Sequence, residues 1–307
     1  MTVFNHNRTY GVEMEVVFSG SKQQLADAIN AEFASQEIAA TAYDAGYSHQ
    51  DNDQNIWKVV RDGSVGNGWE VVSPILKGFE GKAQIEAVCK ALKNAGCSVS
   101  RATGMHVHHF AGDLEPAQIG QAFGTYAAFQ TLLNLNFAPS RRGHQVFTRP
   151  VPTMVTNNGA DKWTNITTKN QVISKLNQTN GGDRYSAMNH DSMNPRSRQY
   201  HNTIEFRQHQ GTINATKVWA WVLISQAIIE NGVQFKTRFP QTTTSLGKRF
   251  KKGELVRFKT FLRINASYNG GDAEASAPYM WAFKQMRKTI KKFMGDDDLW
   301  TGGTPIL

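Results

Sequence analysis

Residues 10–18 read Tyr-Gly-Val-Glu-Met-Glu-Val-Val-Phe, and this stretch restricts the fold more than any other part of the chain. Val12, Val16, Val17 and Phe18 favour extended backbone, and Gly11 and Gly20 bracket the run. Side chains alternate along a strand, so Glu13 and Glu15 share one face. Two carboxylates side by side on a sheet repel each other unless something positive lies between them. A divalent cation is the usual reason to keep such a pair. The plainer alternative is an exposed edge strand with two solvated glutamates.

Four further strands carry chemistry. Ile56–Asp62 and Trp69–Ser73 read as a hairpin around Val65-Gly66-Asn67-Gly68, where Asn67-Gly68 is the strongest turn signal in the chain, and Pro74 ends the second strand. Asp62 and Glu70 flank this turn, so both carboxylates can face one side; capping the turn is the other use of Asp62. Thr103–Phe110 holds Met105-His106-Val107-His108-His109. As a strand it puts His106 and His108 on one face and His109 on the other, offering two imidazoles to one site. Gln199–Thr212 closes the sheet, with Glu205 and Arg207 on a shared face; an ion pair is their simplest reading.

Helical periodicity predicts Ser21–Glu37, with Ser21 and Gln24 spaced as a capping box, then Lys82–Ala95, Glu115–Phe137, Thr168–Gln178, Ala215–Asn231, a basic Ser245–Ile264 and Pro278–Met294. The polar stretch up to Asn55 shows no element, and Cys97–Arg101 reads as a short strand. Residues 138–202 are polar and basic outside their one helix, which fits loops over an active site carrying substrate-binding residues. Asp296–Asp298 reads as a solvated tail.

Composition narrows the function classes. No run approaches the ~20 apolar residues that span a bilayer, and the first residues lack a signal-peptide core, so the chain is expected in the cytosol. Cys89 and Cys97 are the only cysteines, too few for a disulfide framework or a thiolate zinc site; Cys89 falls on the apolar stripe of its helix. The formal charge is +9, of which residues 241–307 contribute +6. That asymmetry suits a polyanionic partner such as ATP, nucleic acid or an acidic polymer, or simply a solvated helical face.

Taken together, Glu13, Glu15, Asp62, Glu70, His106, His108 and Glu205 lie on strands, with Arg207 beside the last. Carboxylates outnumber imidazoles and no thiol joins them, which suits Mg²⁺ or Mn²⁺ better than zinc. Such ions can bridge phosphate oxygens, and Arg207 has the charge and planar fork to hold a transferring phosphoryl group. Gly78-Phe79-Glu80-Gly81-Lys82-Ala83 is not a Walker loop, because its spacing is wrong and no Ser or Thr follows the lysine.

The motifs G-V-E-M-E, D-G-S with W-E-V-V-S-P, G-M-H-V-H-H and T-I-E-F-R with G-T, in this order over residues 10–212, resemble the amidoligases. These belong to the carboxylate–amine ligase superfamily with glutamine synthetase and glutamate–cysteine ligase. The resemblance implies an α+β fold, with a curved antiparallel sheet and helices packed on its convex face. The catalytic domain is expected over residues 1–240, and residues 241–307, which carry no motif of the family, are expected to form a basic helical extension packed on it. By motif, Glu13, Glu15, Asp62, Glu70, His108 and Glu205 would ligate metal, and His106 and Ser64 would contact nucleotide or substrate. Arg207 would hold the transferred phosphate, with Glu13 and Glu205 sharing the catalytic work. ATP would activate a small-molecule or peptide carboxylate for attack by an amine. Two other readings stand beside this one. One is a basic nucleic-acid-binding protein that uses Phe250, Phe258, Phe261, Tyr268 and Trp281 as stacking residues. The other is a metal-dependent hydrolase built on the H-x-H strand.

Overall fold

A computed structural model describes residues 4–45, 55–66, 68–142, 148–151, 166–180, 184–198, 200–234, 258, 261, 262 and 273–294. The fold is mixed α+β, and its strands form open sheet rather than a closed barrel. The chain divides into two compact units, one of His6–His109 and His209–Val222, the other of Met1–Asn5, Phe110–Gln208 and Leu223–Leu307.

The first unit is built on β1 (Tyr10–Val17), β2 (Thr41–Asp44), β3 (Ile56–Arg61), β4 (Gly68–Val72) and β5 (Gly104–Phe110), in the order β2-β3-β4-β1-β5. Neighbours are antiparallel except β2 and β3, which run parallel. The antiparallel expectation is therefore corrected at one edge. Strand β2 was not foreseen in the polar stretch before Asn55, because only Ala42 of its four residues is buried and no alternation shows. It is held instead by the parallel ladder, by Asn30, whose side chain pairs with both backbone groups of Ala42, and by Lys22, which reaches Asp44 and the Ala45 carbonyl. Cys97–Arg101 is likewise not a strand; it contributes a single bridge between Ser98 and Val17.

Helices α1 (Lys22–Ser35) and α2 (Gly78–Asn94) cover one face of these strands. Helix α1 starts where its sequence predicts, with Ser21 and Gln24 forming a reciprocal capping box. Helix α2 begins four residues before the expected Lys82, since its first turn, G-F-E-G, carries no apolar period. At Gly81 a Cβ would come 2.4 Å from the Tyr10 hydroxyl, which donates to the Gly78 carbonyl at 3.0 Å, so only glycine lets this turn lie on β1. Val12, Met14, Val16, Trp57, Val59, Val71, Met105 and Val107 form the apolar face beneath the helices, all fully buried. The Trp57 indole N–H donates to Gln84 of α2 at 2.8 Å, which satisfies the one polar atom of that ring. The Cys89 sulfur lies 3.9 Å from Met14 Sδ, and burial pushes its thiol pKa up to about 12, as a core residue should show.

The second unit contains α3 (Pro116–Asn134), α4 (Lys169–Asn180), β6 (Met188–Asn189) and α6 (Ala273–Met294). Strand β7 (Thr203–Gln210) and helix α5 (Ala215–Gln234) have residues in both units. Helices α3 and α5 approach so closely that a Cβ at Gly232 would lie 2.4 Å from the Gln118 carbonyl. The predicted Ser245–Ile264 helix lies mostly outside the described residues, as do Asn67 and Asp296–Asp298. Phe258 and Phe261 are described, helical and fully buried, with ring centroids 5.0 and 5.3 Å from that of Phe129. They pack the core, so they are unavailable to stack on bases. Phe250 and Tyr268 lie outside the described residues. Among the described residues no helix is long and apolar enough to cross a membrane.

One buried histidine of this unit yields a pH prediction. His190 packs edge-on against Phe123, and its Nε2 lies 2.6 Å from Asn177 Oδ1. Burial pushes its pKa down to about 4, with Asp191 pulling weakly the other way. An unfolded chain binds this proton near pH 6.5, the folded chain only near 4. Between those values the unfolded state holds more protons, so stability falls as pH falls. The loss in melting temperature between pH 7 and pH 4.5 is expected to be smaller in His190→Asn than in wild type. Equal losses would assign the acid sensitivity elsewhere.

Candidate metal-binding active site

The strand register builds the site. In an antiparallel pair, directly opposed residues share a face. Glu13 stands opposite His106 on β5 and Val72 on β4; Glu15 stands opposite Glu70; Gly11 stands opposite His108. All five polar side chains therefore emerge on the face turned away from α1 and α2. Two carboxylates, Glu15 and Glu70, are direct cross-strand neighbours, an arrangement that destabilises a sheet unless positive charge answers it.

Two histidines lie against these carboxylates. His106 Nδ1 lies 3.0 Å from Glu13 Oε2 and its Nε2 lies 3.7 Å from Glu15 Oε1. His108 Nε2 lies 3.2 Å from Glu13 Oε1. Burial by itself would raise the pKa of Glu13, but His108 and His106 together hold it well below the usual carboxylate range. Glu15 is 7% exposed, and its Oε2 accepts the backbone N–H of Gly104 at 2.5 Å, which pins the start of β5 to the middle of β1. His109 points to the apolar face beside Tyr10, as the alternation predicts; burial, helped by the charge of Arg8, keeps it neutral.

Glu13, Glu70 and His106 form a triplet in which one ligand atom from each lies within 4.8 Å of the others. Two carboxylates and one imidazole at this spacing fit a divalent cation. The sequence-predicted ligands do not all enter the triplet. Asp62 follows the end of β3 and accepts both the backbone N–H and the hydroxyl of Ser64, each at 2.8 Å, so it closes a turn and Ser64 serves as its partner. Ser64 is exposed. Glu205 and Arg207 lie on β7, ion-paired with each other, and the Asn189 amide donates to Glu205 Oε2 at 2.7 Å. The guanidinium carbon of Arg207 is 5.8 Å from the centre of the Tyr185 ring.

Lys58 was missed by the motif reading. It stands opposite Val72 on the same face as Glu13 and is only 4% exposed. The signal was a lone lysine at an alternating position inside I-W-K-V-V-R, where a strand with one apolar face must turn it towards the acids. Asn189 was missed because nothing local distinguishes a two-residue strand inside a polar stretch.

No curated protein matches the sequence. The chain is similar to a solved glutamine synthase homolog, at 12% identity and TM-score 0.40, covering 95% of this chain and 68% of that one. It is also similar to a structure of the complex between the prokaryotic ubiquitin-like protein Pup and its ligase PafA, at 10% identity and TM-score 0.46, covering 93% of this chain and 64% of that one. The chain thus spans about two thirds of the length of either. A family model described as "Putative amidoligase enzyme" matches residues 6–229, a stretch that contains every acid, imidazole and arginine of the candidate site, and the chain belongs to that family.

Proposed function

We propose that the protein is an ATP- and Mg²⁺-dependent carboxylate–amine ligase that forms an amide or isopeptide bond through an acyl phosphate. The observation that carries this reading is the triplet of Glu13, Glu70 and His106, placed by register on the polar sheet face of an amidoligase-family chain. An oxygen-rich donor set without thiolate suits Mg²⁺ or Mn²⁺. When bound, such ions screen the γ-phosphate against an incoming carboxylate, two anions that otherwise repel.

In this reading Glu13, Glu70 and His106 hold the cation. His108 and Glu15 brace Glu13 and His106 or add ligand atoms of their own. Glu205 is a further ligand, and Arg207 steadies the phosphoryl group during transfer, as the motif resemblance implies. A substrate carboxylate oxygen attacks the γ-phosphorus and ADP leaves. An amine then attacks the acyl carbon, inorganic phosphate departs with the bonding pair, and the ammonium proton passes to solvent. Asp62 and Ser64 contribute by fixing the turn after β3, with any nucleotide contact made from there.

The test pairs a binding measurement with a turnover screen. The melting temperature is expected to rise with ATP and Mg²⁺ together, by several degrees at saturating ligand, and much less with either alone or with excess EDTA. Screening amino acids and polyamines in pairs for ADP release identifies the acid and the amine. A protein indifferent to Mg²⁺ and ATP would overturn the proposal.

A further inference from the structure

Strand β6 is only two residues long, yet its register with β7 sets Asn189 directly opposite Glu205. Asn189 is 0% exposed, and a buried amide is costly unless its groups are partnered. Its Oδ1 accepts the backbone N–H of Asp191 at 2.8 Å. That bond settles which end of the amide faces which way, because only an oxygen can accept there. The amide nitrogen is then aimed at Glu205 and donates to Oε2 at 2.7 Å. The other carboxylate oxygen, Oε1, takes the Arg207 guanidinium, which in turn lies near the Tyr185 ring, and the Arg207 backbone N–H donates to the Ala187 carbonyl at 2.9 Å. Residues 185–189 thus form a short cradle for the Glu205–Arg207 pair.

We propose that Asn189 is a positioning residue for the ligase site: it locks the Glu205 carboxylate in one orientation, and thereby the place where Arg207 presents its guanidinium. This rests on the ligase reading above. The choice of side chain has a physical reason. A neutral amide donor orients the carboxylate without cancelling its charge, which Arg207 and a cation both require. A lysine in its place would compete with them, and an apolar residue would leave Glu205 Oε2 without this donor.

The experiment uses the full chain with Mg²⁺ and a non-hydrolysable ATP analogue, comparing wild type, Asn189→Ala and Asn189→Ser. The Mg²⁺ concentration that gives half the analogue-induced rise in melting temperature is expected to increase ~10–100-fold in Asn189→Ala. Asn189→Ser keeps a short donor and should fall between. With the acid–amine pair found by ADP release, kcat should fall in the same order while the KM for ATP moves little. Variants that fold and show the wild-type Mg²⁺ requirement and kcat would overturn the assignment of Asn189, as would a loss confined to the melting temperature of the ligand-free protein. A wild type that does not respond to Mg²⁺ and the analogue would sink the ligase reading and this inference together, so the two failures are distinguishable.

Discussion

Glu13→Gln is expected to lower ligase turnover by ~100–1000-fold, about 3–4 kcal/mol of barrier, and also to lower the melting temperature of the ligand-free protein. The glutamine keeps the shape of the side chain and removes one charge from the centre of the acid cluster. Glu13 lies within hydrogen-bond reach of both His106 and His108 and belongs to the triplet with Glu70, so its charge is the one most shared in the site. The cluster sets Glu15 against Glu70 across strands, a repulsion the ligand-free fold must carry. Removing the Glu13 charge eases repulsion within the cluster but gives up the larger attraction of His108 and His106, which holds the Glu13 pKa below the usual carboxylate range, so the ligand-free fold loses stability. Initial rates of ADP release, together with melts in EDTA and in Mg²⁺ plus ATP, check both halves. Near-normal ligation by Glu13→Gln would remove Glu13 from the chemistry.

Arg207→Lys is expected to reduce turnover by at least ~100-fold at a modest cost in stability, and Arg207→Ala to cost both. Lysine retains the charge but not the planar fork that can grip Glu205 and a phosphate at once. Alanine would leave Glu205, 3% exposed, with its Arg207 partner gone, and breaking a buried pair from one side costs about 3–5 kcal/mol. Comparing the two variants by kcat and by urea unfolding separates the chemical role from the structural one. A lysine variant with wild-type kcat would show that positive charge alone suffices and that the guanidinium geometry is irrelevant.

Much of the candidate site's arrangement was legible along the chain because strand alternation is local. Glu13 with Glu15, His106 with His108, and His109 on the far face follow from spacing within single strands, and each falls where the period of two puts it. The capping box at Ser21 was equally readable, since both its bonds close within three residues. Asp62 shows where that logic stops. Its position near a turn allows either metal or turn chemistry, and each of its oxygens accepts one bond from Ser64.

The amino-acid sequence by itself determined which side chains share a face and which segments become helices, because those properties depend on neighbours two to four residues away. Apart from the β3–β4 hairpin, which the turn signal between its strands announced, tertiary structure alone decided which strands stand side by side and in what register. It is register that puts Glu15 against Glu70, Glu13 against His106 and Asn189 against Glu205. It also decided that Thr41–Asp44 becomes a parallel edge and that Phe258 and Phe261 enter the core rather than face a polyanion. Those outcomes come from hydrogen bonds and apolar contacts between residues tens to more than a hundred positions apart, for which no local pattern in the chain carries a signal.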